Sequence, residues 1–145
     1  MVNWVNFFKR INTPAARLAI FILFFWFGVL KVLDLSPATP LVQNLFEQTM
    51  PFMSFGLFLV LFGLFEMLIG TLFLIKGLEK WALSFLVIHL IMTASPLALL
   101  PDMTWSGFMV PTMEGQYIIK NILILALGIS IAASLQPAKI LREII

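Results

Sequence analysis

The chain has 145 residues, 61% of them hydrophobic and 11% charged, and its mean hydropathy is +1.06. Soluble domains carry about 25% charged residues, so the composition excludes a soluble globular fold and leaves one membrane domain over residues 1–145. A formal net charge of +2 gives no footprint for nucleic acid, and the lack of cysteine excludes disulfides, thiolate metal sites and dithiol redox chemistry.

A membrane-spanning helix needs roughly 20 apolar residues, and four segments qualify. The first covers residues 14–33, with Thr13 as N-cap and Pro14 at the first helical position. Its apolar run is longer than the ~7–15 residues of a signal peptide, and no small-x-small cleavage site follows, so it is expected to be retained. The first outer loop comes next. Leu41, Val42, Leu45 and Phe46 recur at helical spacing opposite Gln43, Asn44 and Gln48. That pattern suits a short amphipathic helix on the outer membrane surface; an irregular loop bounded by Pro37, Pro40 and Pro51 is the other reading. The second span covers residues 54–75 and the third 81–100, with Pro96 near its end. The short turn between them makes an antiparallel hairpin. Residues 101–115 form a second outer loop whose Trp105 and Phe108 suit the membrane interface, as Trp4, Phe7 and Phe8 do on the opposite side. The fourth span covers residues 116–135, with Pro137 just beyond. The expected fold is therefore all-α, a four-transmembrane-helix antiparallel bundle.

Basic residues orient the bundle. Lys9, Arg10 and Arg17, then Lys76 and Lys80, then Lys139 and Arg142 all fall on one side of a four-span chain. Asp34, Glu47, Asp102 and Glu114 fall on the other. The positive-inside rule places both termini in the cytoplasm. Lys31 and Lys120 break the pattern, each about one turn below the outer surface. Either they snorkel outward, or they form a cationic rim beside Tyr117 and Asn121 that could hold a quinone carbonyl, an anion or a lipid headgroup. Asp34 or Glu114 could neutralise such a rim.

Gly56, Gly63, Gly70 and Gly77 recur every seven residues and make one stripe along the second span. Small residues let a neighbouring helix approach closely. Glu66 borders that stripe, so it should face protein. On the third span Ala82, Phe85, His89, Thr93 and Pro96 share an arc centred on His89, a face that could meet the glycines. Counting from the outer ends, Glu66 and His89 both lie roughly 17 Å deep at 1.5 Å per residue. A Glu66–His89 hydrogen bond or ion pair is expected. It could handle protons for a ligand or only fix helix packing. The chain has a single histidine, so bis-histidine haem ligation is impossible, and one His with one Glu makes a poor metal site. No metal is expected.

Several local motifs carry a family resemblance. Arg17-Leu18-Ala19 with Phe27-Gly28-Val29-Leu30-Lys31 resembles the first helix of the DoxX family of small four-helix integral membrane proteins. Glu66 with Gly70 resembles that family's second helix, and Thr93-Ala94-Ser95-Pro96 the polar end of its third. The segment from Gly115 through Tyr117, Lys120 and Asn121 resembles the opening of its fourth, with Asn121 where Asp is commoner. Lys120 would then be less compensated here. The resemblance implies a bacterial-type inner-membrane protein. The family takes its name from a subunit linked to thiosulfate:quinone oxidoreductase and a terminal oxidase, and other members are tied to redox or oxidative-stress functions.

The expected function is a subunit associated with a quinone-linked or respiratory oxidoreductase rather than a stand-alone catalyst. No covalent cofactor is expected. Quinone would sit between helices, with Lys31, Thr93, Tyr117, Lys120 and Asn121 as ligand-binding candidates and Glu66–His89 handling protons. The lipid bilayer and other membrane subunits are the expected partners. Two alternatives stand beside it: a non-catalytic accessory or assembly subunit of a larger membrane complex, and a small proton-coupled carrier. The carrier fits less well, since no inverted repeat is visible.

Overall fold

The structure, a computed structural model, describes residues 4–50 and 52–134. Pro51, Leu135, Pro137, Lys139 and Arg142, which enter the sequence reading, lie outside the described residues. The chain folds as α1 (Trp4–Val32), α2 (Thr39–Thr49), α3 (Phe55–Leu74), α4 (Glu79–Ala94), α5 (Pro96–Leu99), α6 (Pro101–Thr104), a hairpin of β1 (Trp105–Gly107) and β2 (Val110–Pro111), and α7 (Met113–Ser134). Four helical stretches are long and apolar enough to cross a membrane: Asn6–Val32, Phe55–Leu74, Glu79–Leu99 and Met113–Ser134. The architecture is all-α with four candidate spans. The two strands add only a short antiparallel ribbon to the connection between α6 and α7.

α1 starts earlier than expected. Thr13 is not its cap, and Pro14 lies inside the helix. Proline removes one backbone hydrogen bond from a helix interior, but no Gly or further Pro interrupts residues 4–13, so the helix continues on both sides of it.

The glycine stripe does not meet α4. A Cβ on Gly63 would lie 2.6 Å from the Gly28 carbonyl oxygen of α1, and a Cβ on Gly28 would lie 2.5 Å from that of Gly63. Gly70 faces the α1 backbone at Phe21 and Phe25 in the same way. The stripe is therefore the seat of α1, at its closest where two glycines face each other. Gly56 and Gly77 take no part in it: neither has a neighbour within 4 Å of a Cβ position, and Gly77 forms the α3–α4 turn with φ +92°. α4 instead approaches α7 at Gly128, where an added Cβ would meet Leu86 at 3.0 Å. Phe85 packs edge-on against Phe65 rather than into the glycine gap.

The bundle has two unlike halves. Toward the α3–α4 turn it is dry: Ala16, Ile20, Phe24, Ile69, Phe73, Ala82, Leu86 and Ile131 form one buried cluster. Arg17 closes this end by donating to the Glu79 carboxylate and to the Phe73 carbonyl, while Glu79 also accepts from the Gly77 amide at 2.8 Å. Toward the opposite end, where α2 and the β1–β2 hairpin lie, the helices separate around a cavity. α2 is helical as one of the two readings had it, but its apolar side turns onto the bundle. Phe46 is buried and packs on Phe55 and Phe58 at ring separations of 5.6 and 5.0 Å. The second loop is tied down in turn. Trp105 is half-buried and its indole donates to the Leu97 carbonyl at 2.9 Å, so it anchors the loop to α5; Phe108, at the hairpin tip, is 97% exposed. Gly115 lets α7 start against Thr104, whose carbonyl oxygen a Cβ there would overlap.

Candidate functional site

Three side chains from three helices meet where the dry half gives way to the cavity. Glu66 of α3 holds Lys31 of α1 on one carboxylate oxygen and His89 of α4 on the other. Lys31 Nζ lies 2.7 Å from Glu66 Oε2, and His89 Nε2 lies 2.9 Å from Glu66 Oε1. The residues are 6%, 5% and 5% exposed. An isolated charge in this setting would be very costly, so a cation and a carboxylate arrive together.

Helix geometry explains why Lys31 turns inward. In an α-helix each Cα–Cβ bond tilts toward the N-terminus. α1 and α3 run antiparallel and cross at Gly28 and Gly63. Lys31 and Glu66 each follow their glycine by three residues, which places them about 4.5 Å to either side of the crossing. The opposite tilts aim each side chain at the other, and the long lysine stem closes the remaining gap. Outward snorkelling would work against that tilt. Lys31 is therefore neither a rim residue nor a partner of Asp34, which stands exposed just past the end of α1 with φ 54°.

Aromatic rings fix the imidazole. Phe62 stacks on His89 with centroids 5.3 Å apart and 11° between planes, and Phe24 meets it edge-on at 5.0 Å. The Phe62 ring also lies 5.4 Å from Lys31 Nζ, a cation–π distance. Thr93 Oγ1 donates to the His89 carbonyl at 3.0 Å, one turn back on α4. One polar atom of the site lacks a partner: His89 Nδ1 is buried and makes no hydrogen bond among the described residues.

The cavity has a volume of about 940 Å3, and Lys31, Glu66 and His89 belong to its lining. Its remaining walls are mainly apolar, from α1, α3, α4 and α7, and α2 contributes Leu41, Val42, Leu45 and Phe46. Thr93, Tyr117 and Asn121 also line it. Lys120 does not. It is exposed and lies over the Tyr117 ring at 5.0 Å from the centroid. The expected rim of two lysines is thus divided, one cation buried in the core and the other outside the cavity.

The depth match of Glu66 with His89 leads directly to this site, since an antiparallel hairpin brings equal depths level. Lys31 was the residue missed as a Glu66 partner. Its signal was present in the equal Gly-to-charge offsets, Gly28 to Lys31 and Gly63 to Glu66. Among the described residues no three His, Cys, Asp or Glu side chains gather as a metal site would need. No family model, curated protein or solved structure matches the chain.

Proposed function

We propose that the chain is a DoxX-like inner-membrane protein that binds a quinone in the cavity and serves as a subunit associated with a quinone-linked respiratory oxidoreductase. The observation that carries this reading is the cavity itself: about 940 Å3, apolar along its length, with Lys31, Glu66 and His89 at its inner end. Small-molecule sites are typically clefts of about 300–1,000 Å3 with few polar groups on apolar walls. A quinone ring with polar oxygens and an apolar isoprenoid tail has that shape and polarity. The sequence has one histidine and no cysteine, so electrons would be exchanged through a partner subunit. Orientation follows from charge. Lys9, Arg10 and Arg17 share an end of the bundle with Lys76 and Lys80, because Arg17 pairs with Glu79. The positive-inside rule makes that end cytoplasmic and opens the cavity half toward the outer leaflet.

The test is photolabelling of the reconstituted protein with a short-chain azidoquinone. Crosslinks on cavity-lining peptides of α1, α4 and α7, displaced by unlabelled quinone, are expected. Labelling that is absent, or that unlabelled quinone does not displace, would refute the proposal.

A further inference from the structure

A free polar group stands on the α7 wall of the cavity. In the dry half Gly128 of α7 touches Leu86 of α4, where a Cβ on the glycine would meet the leucine at 3.0 Å. Asn121 lies seven residues before Gly128, nearly two full turns. It therefore shares the bundle-facing side of α7 with Gly128 and Ile118, both buried, while its neighbours Ile122 and Leu123 are exposed. Two turns cover about 10 Å, which carries Asn121 out of the dry half and into the cavity lining. Thr93 follows Leu86 by seven residues on antiparallel α4. The same step brings it to the same level on the opposite wall, and it too lines the cavity.

These two residues make a polar level between apolar walls. Thr93 Oγ1 gives its hydrogen to the His89 carbonyl at 3.0 Å and keeps lone pairs. The Asn121 amide makes no hydrogen bond among the described residues. It is half-buried, and it is not one of the sealed polar atoms, which are Thr39 Oγ1 and His89 Nδ1. The amide thus has open space before it, and on this side of α7 that space is the cavity. The inner end offers less, because Lys31 and His89 both bond to Glu66 and the three residues are at most 6% exposed.

We propose that Asn121 selects the ligand: its Nδ2–H donates to a carbonyl oxygen of an uncharged molecule with an apolar body, a ketone or a quinone. This rests on the cavity being a ligand site, as in the quinone reading, and deepens it, since the head group lies between Asn121 and Thr93 instead of against Lys31. An amide has no charge to neutralise an ionic head, and an unpaired charge between apolar walls is costly. Glu114, seven residues earlier on the same helix face and also in the lining, repels an anion.

A 4-alkylacetophenone labelled with 13C at the carbonyl tests the contact directly. Added to the protein in nanodiscs, the bound ketone should show a carbonyl resonance downfield of its position in protein-free nanodiscs, as a hydrogen-bonded carbonyl does. Asn121→Leu should weaken the ketone about tenfold, one hydrogen bond's worth, and return the bound resonance to the lipid position. The matching 4-alkyl-ethylbenzene, with CH2 in place of C=O, should bind wild type and variant alike. A wild-type resonance that does not move decides against the inference without any variant. So do a ketone that does not bind, a ketone unaffected by Asn121→Leu, and an equal loss of ketone and hydrocarbon. The quinone reading fails separately: a ketone that binds and shifts while no short-chain quinone binds leaves the inference standing without it. A quinone that binds wild type and Asn121→Leu equally leaves the quinone reading standing and removes the inference.

Discussion

Replacing Lys31 tests whether the buried ion pair or the surrounding apolar packing holds α1 on α3. At 2.7 Å and an effective dielectric of 20, two unit charges attract by about 6 kcal/mol. Desolvation offsets much of that, and removal of one partner from a buried pair typically costs about 3–5 kcal/mol because the other charge is left behind. Lys31→Met keeps the stem and deletes the charge. It is expected to destabilise the protein by about 3–5 kcal/mol, a fall in Tm on the order of 10 °C for a chain of this size. The double replacement Lys31→Met with Glu66→Met leaves no buried charge. It gives up the His89 hydrogen bond, worth about 2 kcal/mol for a charged acceptor, and gains apolar contact. It should therefore be more stable than the Lys31→Met single variant. Unfolding in mixed micelles of increasing SDS content, for wild type, both singles and the double, closes the cycle. A double variant as unstable as the sum of the two singles would refute the coupling and assign the destabilisation to lost packing.

Three further outcomes follow from the packing. Gly63→Ala should cost at least about 2 kcal/mol, as overpacking does, because its Cβ meets the Gly28 carbonyl at 2.6 Å, whereas Gly56→Ala, with nothing within 4 Å, should be neutral or stabilise by up to about 1 kcal/mol through helix propensity; thermal melts of the two variants check the contrast. Glu79→Ala should cost about 1–3 kcal/mol, since it leaves Arg17 without its carboxylate and the Gly77 amide without its acceptor. Hydrogen exchange at the Gly77 amide should speed up, and an unchanged rate there would contradict the assigned bond. The chain has no cysteine, so single cysteines at Lys76 and Phe108 report orientation cleanly: an impermeant maleimide applied to whole cells should label Phe108→Cys and spare Lys76→Cys, and the reverse pattern would invert the bundle.

The sequence makes the spans readable because hydrocarbon imposes a local rule: an apolar run long enough to cross satisfies its own backbone. α2 was half readable for a related reason, since Leu41, Val42, Leu45 and Phe46 mark a helical face, but not what that face covers. The start of α1 was misread because Pro14 is favourable at a first turn and tolerable inside a helix, and only the residues before it decide. Neighbour choice is less accessible. A glycine stripe says that some helix comes close; it does not say which. Gly63 and Gly70 fit α1 because Gly28 answers Gly63 across the contact, a match between residues 35 apart. The same blindness hid the partner of Glu66. Depth paired it with His89 along the α3–α4 hairpin, where the chain turns back on itself and levels can be counted. Lys31 lies on α1, and the direction of its side chain depends on the antiparallel sense and on the tilt of Cβ toward each helix N-terminus. Had that tilt been applied to every ionisable residue, Lys31 would have pointed into the bundle, and Lys120, about two turns into α7, would have pointed back toward the start of that helix. The two lysines look equivalent by depth alone. Helix direction separates them: α1 runs toward the cavity end of the bundle and sends its lysine back to Glu66, while α7 runs away from that end and sends its lysine back toward Tyr117.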